Sequence, residues 1–319
     1  MKHLIFDTPN MFWRVASANT KYNSGTTEEL AGLAMHMALS KMLKYVKKYK
    51  PDRIAVIFEG SDNWRKEYTS SDKCLSKRGY KANRVKDPSM LPFFELIKAF
   101  EELARGHTSL ICLSNPILEG DDVFAGYVQR FCGEGDEVVG VSGDKDFVQL
   151  LKHDKFTLIN TDKDQPRTLE EVCGFSDADY FMFEKAIRGD SGDNVFSAYP
   201  KVRATRLQKC MTDEYELVKL MNETWEFTDP ITQEVTKYKV GDLFEENNIL
   251  MNLEHQPAHI RAAIDKTIQE AIDGRGKYSF FAFNKFCGKF GLKKIADNAP
   301  TFADMLSTFA EQKHSILGY

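Results

Sequence analysis

The sequence predicts an α/β fold: a mostly parallel sheet with helices on both faces, followed by a mainly α-helical second half. Three observations predict it. Short apolar runs of strand type alternate with segments of helical spacing as far as residue 160, the pattern of βαβ units. The alternation stops near residue 180. The chain has 319 residues, 42% of them hydrophobic, enough for one large core or two modest ones. We expect two domains, 1–180 and 181–319.

Taken in order, residues 2–6 (KHLIF) form a short strand ending at Asp7. Glu28–Tyr49 spaces Leu30, Leu33, Ala34, Met37, Ala38, Met42, Val46 and Tyr49 as one helix face, and Pro51 ends it. Arg53–Phe58 (RIAVIF) is a buried strand ending at Glu59, and Pro92–Leu103 is helical. Ser109–Leu113 is the third strand, and Leu118–Phe131 a helix that opens with acids. Glu137–Val141 is the fourth strand, Phe147–Leu151 starts a helix, and Phe156–Asn160 is the fifth strand. Between them, residues 60–92 form a polar, basic insertion longer than a connection needs. In the second half, Asp179–Ile187, 205–224, Leu243–Leu253 and Ala258–Ile272 read as helices, and Trp225–Lys239 as a hairpin around Asp229-Pro230. Tyr278–Phe309 reads as two more helices.

In open parallel sheets, ligands bind beyond the carboxyl ends of the strands. Asp7, Glu59 and the pair Asp144 and Asp146 each follow an expected strand; Glu119, Asp121 and Asp122 follow the third after a turn. Asp190 and Asp193 form a fifth acidic group in GDSGDN. Hard divalent cations take oxygen ligands, a few carboxylates plus water and phosphate. Carboxylates gathered at one rim repel each other unless a cation joins them. Spacing of i,i+3 would put Glu119 with Asp122, and Asp190 with Asp193, on shared helix faces. Each group also has a plain structural account, as a helix cap or turn residue. Caps alone do not explain why the acids recur at the same end of successive strands.

Net charge is −4, but the charge is segregated. Residues 41–86 carry fourteen Lys/Arg against five acids, and 275–294 carry six Lys/Arg and no acid. Residues 119–146 carry eight acids and two bases. Acids that hold cations, flanked by basic stretches that hold phosphate, suit a metal-dependent nuclease. Other chemistries fit less well. No GxxxxGK[ST] phosphate loop or GxSxG elbow is present. An aspartyl nucleophile after the first strand wants a second Asp two residues on, where Pro9 stands. His255 and His259 have metal-ligand spacing but Pro257 lies between them. The six scattered cysteines form no CxxC pair and read as reduced thiols. No apolar run is long enough to span a membrane, and the first residues show no secretory signal, so a cytoplasmic location is expected.

In this order the motifs resemble the flap endonuclease/5′-nuclease family, especially its bacteriophage 5′→3′ exonucleases and phage RNase H-type members. The matching segments are LIFDTPN (4–10), IAVIFEGSDNWRKE (54–67), RGYKANR (78–84), PILEGDDV (116–123), SGDKDFVQLL (142–151) and IRGDSGDN (187–194). The resemblance implies a PIN-like nuclease domain over 1–180, with a helical arch at 60–92. A helix–three-turn–helix duplex-binding domain would occupy 181–319. It implies two Mg²⁺ ions, with Mn²⁺ able to substitute. Asp7, Glu119 and Asp121 would hold the first, with Asp122 in its outer shell. Asp144, Asp146, Asp190 and Asp193 would hold or orient the second. Lys81 and Arg84 would contact the scissile phosphate and Tyr80 would stack on a base.

Two departures stand out. Glu59 occupies a place where the family usually has Asp; it could touch the ion or act through water. The family's GxGxK turn is replaced by a run in which Lys201, Arg203 and Arg206 would stand in for glycine amides on the DNA backbone. The implied substrates are DNA with 5′ ends or flaps and RNA–DNA hybrids. A sliding clamp or single-strand-binding protein is a possible partner, and a monomer is expected. If phage-encoded, the protein would act in the host cytoplasm. The competing readings are a PIN-type single-strand ribonuclease and a non-catalytic DNA-binding homologue. The 225–241 insertion has no assigned role.

Overall fold

The computed structural model describes residues 1–22, 25–84 and 87–308, without the side chains of 18–22. Residues 85, 86 and 309, within segments discussed above, lie outside that description. By internal packing the chain forms two units. The first comprises Met1–Ser61, Lys86–Thr168 and Ala262–Tyr319; the second comprises Asp62–Val85 and Leu169–Arg261. The units do not follow a single cut of the chain.

In chain order, the elements begin with β1 (Lys2–Asp7), α1 (Thr8–Tyr22), α2 (Thr27–Tyr49) and β2 (Arg53–Ile57). Helix α1 is absent from the sequence reading; Pro9 in its first turn removes only an N–H that has no intrahelical partner. Thr26 and Glu29 close a capping box at the start of α2. Then come α3 (Trp64–Ser70), α4 (Leu91–His107), β3 (Ile111–Leu113), α5 (Gly120–Gly133) and β4 (Glu137–Val141). Asp146–Lys152 is a 3-10 helix, followed by β5 (Phe156–Asn160), β6 (Gln165–Pro166) and α6 (Leu169–Cys173). The chain continues through α7 (Ala178–Arg188), α8 (Ala204–Thr212), α9 (Glu214–Asn222), β7 (Thr224–Thr228) and β8 (Val235–Lys239). It ends with α10 (Val240–Met251), α11 (Ala258–Asp273), α12 (Phe280–Lys289), α13 (Lys293–Ala296) and α14 (Ala299–Leu306). The single helix expected over 205–224 is two, because Asp213 ends α8 and caps α9 through a bond from the Glu216 amide. The two helices expected at the end are three, interrupted at Gly291, whose φ is 65°.

The first unit is built on a sheet of order β3-β2-β1-β4-β5-β6. The first five strands are parallel and β6 is antiparallel. Strand residues alternate between the two faces. Leu4, Phe6, Ile54, Val56, Val139 and Val141 bury against α1, α2, α4, α12 and α14. On the other face α5 packs close to the sheet and to α11. A Cβ on Gly140 would stand 2.6 Å from Phe124 of α5, and one on Gly126 would stand 2.2 Å from Ile264 of α11. Burial on both faces explains why these strands read as unbroken apolar runs. The chain leaves β1 toward β2 and β3, then returns to pair β4 on the other side of β1. The sheet's switch point therefore lies between β1 and β4, where a ligand crevice is expected.

The second unit has its own core. Tyr180, Phe183 and Ile187 of α7 pack with Leu207, Leu220, Val240, Leu243 and Phe196. The β7–β8 hairpin forms as the sequence predicts, with Trp225 opposite Tyr238. No helix among the described residues is long and apolar enough to cross a membrane.

Candidate metal centre and nucleic-acid interface

Parallel strands end at one rim, and the acids stand there. Asp7 closes β1; Glu59 lies two residues beyond β2; Glu119 caps α5 after β3; Asp144 and Asp146 follow β4. Backbone amides hold these carboxylates in place. Asp7 is buried, accepting from the Asn10 N–H (3.2 Å) and from the Ser142 hydroxyl (2.6 Å). Ser142 Oγ also accepts from the Asp144 N–H (2.9 Å), and Asp144 Oδ1 accepts from the Asp146 N–H (2.8 Å). Asn10 Oδ1 takes the Gly143 N–H at 3.0 Å. Asn10 and Ser142 thus tie the end of β1 to the turn after β4. The sequence reading overlooked both; their position within three residues of the ends of two adjacent strands was the available signal.

The second tie joins β2 to α5. Glu59 Oε2 accepts from the Gly120 N–H at 3.1 Å, an anion on the positive end of a helix. Asp122 is fully buried and accepts from the Glu119 N–H (3.1 Å), while the Glu119 side chain accepts from the Asp122 amide. This capping box sets the pose of Glu119. Glu119 is therefore the residue preceding α5, and the expected shared helix face of Glu119 and Asp122 is replaced by reciprocal capping.

The rim is strongly anionic. Burial pushes the Asp7 carboxyl up to about 7, reinforced by Glu59 and Asp144 and opposed by its hydrogen bonds. Asp121 is held well above the usual carboxylate range by burial and by the charges of Asp144, Glu59, Glu119 and Asp7. Those five carboxylates share one electrostatic neighbourhood, and every neighbouring charge acting strongly on Asp121 is acidic. They do not close around a point: among the described residues no three His, Cys, Asp or Glu side chains form a ready ligand group. A set of hard oxygen donors gathered at one rim fits a hard divalent cation.

Asp190 and Asp193 lie in the second unit. They are not on a helix, contrary to the sequence expectation. A backbone bridge between Asp190 and Val195 closes a turn, and Asp190 Oδ1 accepts from the Gly192 N–H at 2.8 Å. Asp193 meets the basic segment. Its Oδ2 accepts from the Tyr80 hydroxyl (3.0 Å), its Oδ1 from Arg84 Nη2 (2.6 Å), and Lys81 Nζ stands 3.9 Å away. The structure thus brings Tyr80, Lys81, Arg84 and Asp193 together. Two residues expected to meet DNA already have protein partners. Tyr80 is buried, its hydroxyl bonded to Asp193 and its ring beside Arg65, and it offers no open face to a base. Arg206 is spent on Glu223 in a two-pronged pair, Nη1 to Oε2 at 3.0 Å and Nη2 to Oε1 at 2.5 Å. Lys201 and Arg203 are exposed. Lys201 has φ 62°, a left-handed conformation that glycine adopts more easily.

The fold and the rim define the class: an α/β protein with a mainly parallel sheet and carboxylates at its switch point. The comparisons name the family. The model described as 5′-3′ exonuclease, N-terminal resolvase-like domain, matches residues 2–174, more than half the chain. The protein belongs to the flap endonuclease/5′-nuclease family. A 5′-3′ exonuclease of Buchnera aphidicola (Schizaphis graminum) is 28% identical over 189 residues, covering 57% of this chain and 61% of that protein. A DNA polymerase I of Caldicellulosiruptor bescii is 27% identical over 211 residues, 61% of this chain and 22% of the polymerase. An exodeoxyribonuclease of Enterobacteria phage T3 is 31% identical over 148 residues, 46% of this chain and 43% of that enzyme. The chain thus spans less than two thirds of each of these relatives. Among solved structures, the phage T5 protein co-crystallised with metal ions aligns with TM-score 0.60 and 20% identity, covering 86% of this chain and 99% of that one. The bacteriophage T5 flap endonuclease in complex with DNA and metal ions aligns at 0.59 and 20%, with coverage of 86% and 100%.

Proposed function

We propose that the protein is a metal-dependent 5′ nuclease. It would hydrolyse phosphodiesters at 5′ ends and 5′ flaps of DNA and in RNA paired to DNA. The observation that carries this reading is the rim itself: the charges of Asp144, Glu59, Glu119 and Asp7 add to burial in raising the proton affinity of Asp121, and those of Glu59 and Asp144 do the same for Asp7. Such an arrangement costs stability and is explained by a cation. Family membership and the DNA and metal ions in the T5 complex support the same substrate class.

Asp7, Glu119 and Asp121 would hold one Mg²⁺, and Asp144 and Asp146 would contribute to a second. Asp122 would act by fixing Glu119. Bound cations supply Lewis-acid polarisation of the phosphodiester and lower the pKa of water. Hydrolysis would join a water oxygen to phosphorus and expel the 3′-oxygen, which would take up the proton that the water gives up, leaving a 5′-phosphate and a 3′-hydroxyl. Lys81 and Arg84 would stabilise the charge that spreads over the phosphoryl oxygens. Asp193 would hold those cationic side chains until phosphate competes for them, and with Asp190, whose Oδ2 is 3.7 Å from Lys185 Nζ, would hold or orient the second ion. The helices α7 and α8 with the turn 189–203 would form the duplex-binding motif, Lys201 and Arg203 touching phosphates without reading sequence.

The test is cleavage of a 5′-flap duplex with and without Mg²⁺. Asp121→Asn and Asp146→Asn should each slow cleavage on the order of a thousandfold, the scale of losing several kcal/mol of charge stabilisation. In EDTA, Asp121→Asn should melt a few degrees higher (about 1 kcal/mol, roughly 2–4 °C for a protein of this size), because one repelling charge is gone. Cleavage by either variant at the wild-type rate would refute the metal assignment.

A further inference from the structure

The β7–β8 hairpin has no task in the reading above. Its aromatic face packs on the segment that follows the GDSGDN turn. Phe196 has ring centroids of Trp225, Phe227 and Tyr238 at 5.4, 5.1 and 5.6 Å. Trp225 Nε1–H donates to the Ala198 carbonyl at 2.8 Å. Between hairpin and turn lies the guanidinium of Arg78, 4.3 Å from the Phe196 ring centroid and 5.4 Å from that of Phe227. Asp229, at the hairpin's bend, also acts electrostatically with Arg78.

Arg78 immediately precedes the residues assigned to phosphate. Lys77 and Lys81, on either side of Arg78–Tyr80, have φ of 52° and 55°. Left-handed backbone at non-glycine residues persists only where the surroundings hold it. Here they do. The Lys81 N–H donates to the Asp193 carbonyl (2.9 Å), Asn194 Nδ2 donates to the Gly79 carbonyl (2.9 Å), and the Tyr80 N–H donates to Thr69 Oγ1 (3.0 Å). Upstream, the buried Glu246 of α10 accepts from the Leu75 and Ser76 amides.

We propose that the hairpin is a positioning element: Phe227 and Phe196 clasp Arg78 and thereby fix Gly79–Arg84 against the 190–194 turn. The catalytic consequence rests on the 5′-nuclease reading, since it is the placement of Lys81 and Arg84 that the clasp secures. A hairpin that only covered the apolar core would need Trp225 and Tyr238 but not the stacking of a cation on Phe227.

Two measurements on the full chain test this. The first is hydrogen exchange of the Tyr80, Lys81, Ala82 and Arg84 amides, all hydrogen-bonded in the structure. Arg78→Ala and Phe227→Ala should each speed their exchange roughly tenfold, the scale of one half-buried cation–π contact. The double variant should exchange no faster than Arg78→Ala alone. Phe227→Tyr should behave as wild type, and Ile231→Ser, at a position 90% exposed on the bend, should change nothing. The second is flap cleavage. Arg78→Ala and Phe227→Ala should lower kcat roughly tenfold with KM nearly unchanged, because misplacement of catalytic groups costs turnover. Unchanged exchange in Phe227→Ala, additive effects in the double variant, or loss expressed wholly in KM would each overturn the proposal. A wild-type chain that cuts no flap would sink the nuclease reading, while the exchange experiment would still decide the clasp.

Discussion

The acidic rim of the first unit and the basic segment of the second are both candidate working surfaces, yet they are held by opposite means. On the rim, carboxylates at strand ends are gripped by backbone amides and short polar side chains that follow neighbouring strands: Asn10, Ser142, Gly120. In residues 75–84, distant side chains do the holding: Glu246, Asn194, Asp193, Phe196 and Phe227. A rim built from the backbone tolerates change in its side chains but little in its chain path. A segment held by side chains should show the reverse.

The largest expected effect tests the chain path. Gly60 follows Glu59 and donates its N–H to the Leu118 carbonyl at 3.1 Å. A Cβ there would meet the carbonyl oxygens of Asn115, Leu118 and Pro116 at 2.3, 2.4 and 2.6 Å. Because no flexible side chain can move aside, Gly60→Ala should cost at least about 3 kcal/mol in chemical unfolding. A loss below 1 kcal/mol would show that the loop before α5 yields, and the contrast would weaken.

Strand β1 offers a second test, since its two ends titrate in different senses. At its start His3 is wholly buried between Tyr127 and Phe131. Its Nε2 lies 3.1 Å from Asp136 Oδ2 and its Nδ1 2.7 Å from the Tyr127 hydroxyl, partners that a neutral imidazole satisfies with Nε2–H donating to the carboxylate and Nδ1 accepting from the hydroxyl. Burial lowers its pKa to about 4, against the Asp136 charge that raises it. The unfolded chain, near 6.5, then binds the proton first as pH falls. His3 therefore contributes fully above pH 6.5, and its contribution is lost as pH falls from 6.5 to about 4, up to about 3 kcal/mol. His3→Gln, which cannot charge, should flatten that part of the stability–pH curve relative to wild type. Parallel curves for the two proteins would contradict the buried neutral state.

The smallest effects separate Arg206 from its basic neighbours. Arg206→Ala should cost about 1 kcal/mol by abandoning Glu223, with little change in duplex affinity. Lys201→Ala and Arg203→Ala should leave stability alone and each lower the salt dependence of duplex binding by about one charge. If Arg206→Ala weakened binding as Lys201→Ala does, Arg206 would exchange partners on DNA.

The strands of the first unit and the acids beyond them were legible because both faces of a parallel sheet are buried and ligand groups sit at strand ends, a local pattern. The capping box of Glu119 and Asp122 was equally written in a short stretch. What the sequence did not show is that Tyr80 and Arg206 have acidic partners. Each looks like a nucleic-acid residue by type and neighbourhood in the chain, and each is occupied by an acid, Asp193 at a separation of 113 and Glu223 at 17. Pattern cannot price a partner that distant folding supplies. The break at Asp213 shows the milder form of the same limit, where one cap residue outweighed an otherwise continuous periodicity.

The sequence by itself determined the family, the parallel sheet and the ring of acids at its edge, since periodicity and strand-end chemistry are properties of neighbouring residues. Only the tertiary structure decided which charges are spent on one another, and that the hairpin meets Arg78. Those outcomes depend on loop closures that bring remote side chains to within a few ångströms, and no short stretch of chain carries that information.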